Sequence, residues 1–216
     1  QVRFFPSGSE WNLVHGSESV PVRLPLIGDV NVHNALGAAA VGITFGVSLD
    51  EMATRFADLP QVPGRLEVIA NHPTVLRDYA HTPDAIERAL AAVRPFTTGR
   101  LILVFGCGGD RDRGKRPEMG KVAEAGADDV IVTNDNPRTE NPEQILDDIE
   151  KGMTPGTHQR IANRREAIQT AITQTNDGDV VLLAGKGHET YQIVGTTKLP
   201  FDEKVIVREL LAGTAD

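Results

Sequence analysis

Cysteine, aromatic residues and positive charge are all scarce in this sequence, and two of the shortages exclude whole classes of protein. One cysteine, Cys107, in 216 residues leaves no intrachain disulfide framework and no cysteine-based zinc site. A single thiol fits a reducing compartment. Lysine and arginine total 22 against 30 aspartates and glutamates, a formal charge of -8. A general nucleic-acid binder would need a basic face for phosphate contacts. Small anionic ligands are not excluded, because local arginines can outvote the net charge. No apolar run approaches the roughly 20 residues of a membrane helix, and nothing at the N-terminus reads as a signal peptide. These absences point to the cytoplasm and to no membrane partner. The chain opens on Gln1 rather than Met, which suggests a piece of a longer protein.

What is present is enough apolar sequence, 40%, for a well-filled core, arranged in two styles. Residues 1–66 hold three strand-like runs, VRFFP, EWNLVHG and SVPVRLPL, then an alanine-rich helical run and SLDEMATRFADL. In the last, Ser48 and Glu51 have capping-box spacing. A domain junction is expected at QVPGRLEVI. From residue 67 to 216, short β-like runs alternate with amphipathic helices, one of them capped by Thr82 with Pro83 at its first position. That alternation predicts an α/β fold, a Rossmann-like, mostly parallel sheet covered by helices. Ligands in such sheets bind at the carboxyl ends of the strands.

Four loops stand at predicted strand ends: DYAHTP, GCGGDRDRGKR, TNDNPRTENP and AGKGHETYQ. The second mimics a phosphate-binding P-loop, G-x-x-x-x-G-K-[ST], up to its last position. There Arg116 replaces the hydroxyl that would bind magnesium, and Asp110 and Asp112 would repel phosphate. Two readings remain for this loop: a solvated turn with an acid–base surface network, or a glycine-rich backbone set close to a ligand, its arginines suited to carboxylates. In TNDNPRTENP, Asn141 and Pro142 read as a helix cap and first turn, which leaves Arg138 unexplained. Two loops that each present arginine suggest a ligand with more than one carboxylate. In AGKGHETYQ, Glu189 can pair with a ligand ammonium or with Lys186. Asp78 is either a ribose-hydroxyl acceptor or a turn-forming aspartate. No metal-ligand spacing is convincing.

Six runs, GDVNVHNALGAAA, VPGRLEV, DYAHTPDAIERAL, VFGCGGDRDRGKRPEMG, VTNDNPRTENP and AGKGHETYQIV, together resemble the Mur ligases. Within that family they resemble the branch that adds diaminopimelate during peptidoglycan-precursor synthesis. The resemblance implies the end of a central ATPase domain over residues 1–66 and a C-terminal amino-acid-binding domain over 67–216. It places the family's true P-loop, carbamylated lysine and Mg2+ ligands upstream of Gln1, so no catalytic or metal residue is expected here and the chain alone should be inactive. By resemblance Arg111, Asp135, Asn136, Pro137, Arg138, Gly185 and Glu189 form the diaminopimelate site. Asn34, Arg65, Asp78 and His81 match positions that contact ATP. UDP-N-acetylmuramoyl-dipeptide and ATP are the implied partners through the remaining domains. A buried, otherwise unpaired Arg138 would reject lysine, which lacks the second carboxylate. Asn134 and Thr190 depart from the acidic residues frequent in the family. The rival readings are a non-catalytic diaminopimelate-binding module, or another acid–amino-acid ligase such as folylpolyglutamate synthase.

Overall fold

The computed structural model describes residues 1–213. It divides into two compact units, Gln1–Val62 and a second from Pro63 onward. The first is an antiparallel meander, β1 (Arg3–Phe5), β2 (Gly8–His15) and β3 (Glu18–Leu24). Two helices follow, α1 (Asp29–Thr44) and α2 (Leu49–Ala57). Alternation along β2 buries Trp11 and Leu13, which pack with Val22, Leu24, Ala35, Ala39, Met52 and Phe56. The Ser48 hydroxyl accepts the Glu51 amide at 3.3 Å. Glu51 turns its own carboxylate to Arg55, so only half of the expected capping box forms.

The second unit contains β4 (Glu67–Asn71), β5 (Thr74–Asp78), α3 (Pro83–Val93), β6 (Leu101–Phe105), α4 (Lys115–Gly126), β7 (Asp129–Val132) and α5 (Pro142–Glu150). It continues with β8 (Gln159–Arg160), α6 (Arg164–Thr173), β9 (Val180–Ala184), β10 (Tyr191–Val194), β11 (Thr197–Pro200) and α7 (Glu203–Ala212). Six strands form one sheet in the order β4-β5-β9-β6-β7-β8. All neighbours are parallel except β4, which runs antiparallel to β5 at the edge. β6 and β9 are buried at every residue, as strands covered on both faces must be. One face takes Val75, Ile102, Val104, Ile131, Val181 and Leu183 against α6 and α7. The alternating residues Leu76, Leu101, Leu103 and Leu182 are equally buried, so the other face is covered too. α3, α4 and α5 pack side by side and bring in Ile86, Leu90, Met119, Ala123 and Ile145. Thr82 caps α3 as its sequence predicts, its hydroxyl accepting the Ala85 amide. The β4 edge strand and the β10–β11 hairpin were not among the expected elements.

Ion pairs close the amino end of the sheet. The Asp179 carboxylate, just before β9, accepts the Arg100 amide at 2.6 Å and the Asn176 amide at 3.0 Å. It also pairs with the Arg100 guanidinium at 2.7 Å, and the same guanidinium reaches Asp129 at 2.8 Å. Asp128 accepts the Leu101 amide and pairs with Arg94. Gly99 packs so tightly here that a Cβ would lie 2.3 Å from Asp179 Oδ1. Among the described residues, no helix is long and apolar enough to cross a membrane.

Candidate functional site

At the opposite end, the loops after β5, β6, β7 and β9 meet around a cavity of about 180 Å³. Its wall is built from Tyr79 and His81 after β5, from Gly106, Cys107, Gly108, Arg111 and Lys115 after β6, from Asp135, Asn136 and Arg138 after β7, and from Gly185 and Glu189 after β9. Close backbone approach makes the convergence possible. A Cβ on Gly106 would lie 2.0 Å from the Thr133 carbonyl oxygen, and one on Gly109 would lie 1.8 Å from that of Pro137. Gly185 adopts a φ of 115°, and a side chain there would also meet Asp135 Oδ2 at 2.6 Å.

The P-loop-like run resolves into a staple between two loops. Arg116, where a hydroxyl was required, is completely buried and pairs with Glu140 at 2.8 Å and Asp148 at 3.0 Å. Glu140 also accepts the Asp110 amide. Its carboxyl is held down at about 2, first by the hydrogen bond from Arg116 and next, after an opposing effect of burial, by the Asp110 amide. Asp110, with φ 54°, accepts the hydroxyl and amide of Thr139. The network holds TNDNPRTENP against GCGGDRDRGKR through the buried Arg116, while residues 110–113 at the tip of the loop stay exposed. The exposed tip keeps the character of the surface-turn reading, and the buried Arg116 adds an anchor between the two loops.

Arg138 sits on that staple in an unusual way. Its φ is 52°, a conformation that costs a non-glycine residue about 1–2 kcal/mol. The main chain compensates: the Arg138 amide donates to Ile193 O at 3.1 Å, and Gly195 N donates to Arg138 O at 2.7 Å. These bonds make a parallel bridge to Val194 in the β10–β11 hairpin. The guanidinium lines the cavity half-buried, with Nη1 donating to Gly109 O at 2.8 Å. This corrects the expectation of a buried, unpaired arginine, because one nitrogen already has a partner and the group keeps access to water.

The acidic side of the cavity is Asp135 and Glu189. Beneath them Lys186 is fully buried. Its ammonium donates to Asn136 Oδ1 at 3.1 Å and lies 3.4 Å from both Asp135 Oδ1 and Glu189 Oε2. Asn136 Nδ2 donates to the same Glu189 oxygen at 2.8 Å. Cys107 is buried, its thiol pushed up to about 12 by burial and by the Asp135 charge, so it is a neutral wall rather than a nucleophile. The cavity thus presents three cations, Arg111, Lys115 and Arg138, and two carboxylates, a pattern suited to a zwitterion with more than one carboxylate.

The structure places six of the seven residues expected around diaminopimelate on this one cavity; Pro137 stands behind, its carbonyl against Gly109. Of the residues expected near ATP, His81 lines the same cavity. The Arg65 guanidinium lies 5.3 Å from the Tyr79 ring centroid. The Asp78 carboxylate accepts the Leu66 amide at 2.8 Å. Burial raises its pKa, opposed by hydrogen bonds from the Leu66 and Ala80 amides, which favours the turn-forming reading of this residue. Asn34 lies on α1 in the first unit, 3.4 Å from Asn31 Oδ1. Lys115 and Tyr79 were not singled out as site residues. Lys115 stood in the P-loop's lysine position and was set aside with that motif. Asn134 bonds the Ala162 carbonyl, away from the cavity wall.

A family model, the glutamate ligase domain of the Mur ligases, matches residues 64–187, and the chain belongs to that family. It is 53% identical over 192 residues to the UDP-N-acetylmuramoyl-L-alanyl-D-glutamate--2,6-diaminopimelate ligase of Thermosynechococcus vestitus, a match covering 87% of this chain and 39% of the relative. The ligase of the same name from Geobacillus kaustophilus is 46% identical, with 96% of this chain and 43% of the relative covered. A solved structure of a ligase with that name superposes with a TM-score of 0.79 at 40% identity, covering all of this chain and 45% of the other. Folylpolyglutamate synthase of Mycobacterium tuberculosis, complexed with ADP, is more distant, with a TM-score of 0.68 and 26% identity over 86% of this chain and 44% of that one. The chain therefore spans about two-fifths of the length of the relatives it matches.

Proposed function

We propose that the second unit is the amino-acid-binding domain of an ATP-dependent, amide-forming ligase that adds meso-diaminopimelate to UDP-N-acetylmuramoyl-L-alanyl-D-glutamate in the cytoplasm. The first unit is then the end of the central ATPase domain. The observation that carries this reading is the single cavity where Arg111 and Arg138 face Asp135 and Glu189. In the reaction, ATP phosphorylates the D-glutamate γ-carboxylate. One amine of diaminopimelate, having lost a proton, attacks the acyl carbon. The carbon–oxygen bond to phosphate breaks, and phosphate leaves with the electron pair. Arg138 and Arg111 hold carboxylates of the amino acid, while Glu189, Asp135 and the Gly185 carbonyl take the ammonium that does not react. Held by its far end, the acceptor meets the acyl phosphate as an oriented nucleophile.

Arg65 and His81 of the second unit contact ATP in this reading, and Asp78 supports them through its bond to the Leu66 amide. Among the described residues, no group of three or more His, Cys, Asp or Glu could hold a metal ion. We place the Mg2+ and triphosphate machinery in the portion of the relatives that this chain does not match. The chain by itself then binds the amino acid without turning it over.

Calorimetric titration tests the reading. meso-Diaminopimelate should bind, and lysine should bind at least tenfold more weakly, because one charge-assisted hydrogen-bonded pair is worth about 1.5–3 kcal/mol. Arg138→Ala should erase most of that difference by weakening diaminopimelate alone. Equal affinity for both amino acids, or equal loss on mutation, would reduce Arg138 to a turn residue and reject this function.

A further inference from the structure

Lys186 belongs to none of the ligand contacts assigned above, yet its charge is completely buried beside the cavity. No part of it is exposed, and its ammonium faces Asn136 Oδ1, Asp135 Oδ1 and Glu189 Oε2 at 3.1–3.4 Å. With three donors and three acceptors, it has none left for a ligand. The Phe201 ring, its centroid 5.8 Å away, covers the ammonium from another side.

The consequences pass outward through Asn136. Its Oδ1 accepts both Lys186 and the Ile193 amide, the latter at 2.8 Å. That fixes the orientation of the amide and turns Nδ2 toward Glu189 Oε2. Glu189 Oε2 therefore receives two donors from below, and Oε1 is the oxygen left for the cavity. The charge balance follows the same geometry. Asp135 and Glu189 would carry two negative charges into a site with one ammonium to bind, and the buried lysine cancels one of them.

We propose that Lys186 is the positioning residue of the ammonium subsite: it presents Glu189 Oε1 in one orientation and halves the subsite's charge, so that a single ammonium satisfies it. This rests on the diaminopimelate reading and adds a residue that acts only through Glu189 and its neighbours.

A double-mutant cycle on the whole chain tests it, with diaminopimelate affinity as the readout and thermal unfolding as the control. Lys186→Met should weaken diaminopimelate at least tenfold in the wild-type background. In Glu189→Gln, where the carboxylate to be positioned is gone, the same substitution should cost less than twofold. In Arg138→Ala it should again cost about tenfold, since that residue serves the carboxylate end. If the methionine variant does not fold, Lys186→Gln, which keeps a donor but no charge, enters the same cycle. Equal cost in the wild-type and Glu189→Gln backgrounds would make Lys186 a purely structural residue and overturn the proposal. Wild-type binding of diaminopimelate with no change in Lys186→Met would overturn it alone. No binding by wild type would instead remove the diaminopimelate reading and this inference with it.

Discussion

At the amino end of the parallel strands Arg100 meets Asp179 and Asp129, while at the carboxyl end Arg111 and Arg138 meet a cavity. Both ends are rich in charge and in glycine. At the amino end the guanidinium and carboxylates are matched to one another and to backbone amides, and Gly99 brings two loops into contact. At the carboxyl end the glycines bring four loops together without filling the space between them. The outer arginines there keep unsatisfied donors, and only the second rank, Arg116 and Lys186, is closed off. The same residue types produce a seal in one place and a receptor in the other. The difference lies in whether the counter-charge belongs to the protein.

The comparison breaks most visibly if the amino end proves dispensable. Asp179→Ala leaves the Arg100 and Asn176 amides without their acceptor and should cost about 2–4 kcal/mol of stability in urea unfolding. Diaminopimelate affinity of the folded variant should stay within twofold. A variant of normal stability that no longer binds would reverse the roles assigned to the two ends.

Acid sharpens the carboxyl end next. Glu140 has its folded-state pKa lowered from 4.5 to about 2, first by Arg116. Its contribution is therefore complete above about pH 4.5 and is lost as pH falls through about 2. Glu140→Gln should destabilise the chain by about 2 kcal/mol at neutral pH. The gap from wild type should narrow below pH 4.5 and close near pH 2. A gap independent of pH would show that Glu140 acts by shape rather than by charge.

The smallest effect concerns the backbone at Arg138. At φ 52° glycine pays no Cβ penalty, so Arg138→Gly should be more stable than Arg138→Ala by about 1 kcal/mol. Both should lose the preference for diaminopimelate over lysine. Equal stability of the two would mean that the turn relaxes on substitution.

Much of this molecule was readable before its coordinates, for identifiable reasons. The buried strands LILVF and VVLLA announce themselves as apolar runs, and Thr82–Pro83 and Asn141–Pro142 mark helix starts through local hydrogen bonding. The β10–β11 hairpin was missed because it is short, largely exposed and outside the main sheet, so it has no apolar pattern to follow. Its importance comes from the bridge to Arg138, a contact across more than fifty positions of sequence that no local rule reports. Arg116 was noticed for the hydroxyl it displaces, but its pairing with Glu140 and Asp148 depends on how α4 and α5 pack. Lys186 was visible as a lysine between glycines. Its complete burial required the loop after β7 to close over it.

The bridge that ties Arg138 to Val194 has one further consequence. Only main-chain atoms make it, so the position is mounted independently of the side chain that it carries. The guanidinium works like an exchangeable tip on a fixed holder. Any residue that tolerates a left-handed backbone can be tried there without dismantling the loop. A descendant of this protein could change the acceptor it recognises through one codon, and the hairpin would go on holding the new side chain at the same cavity wall.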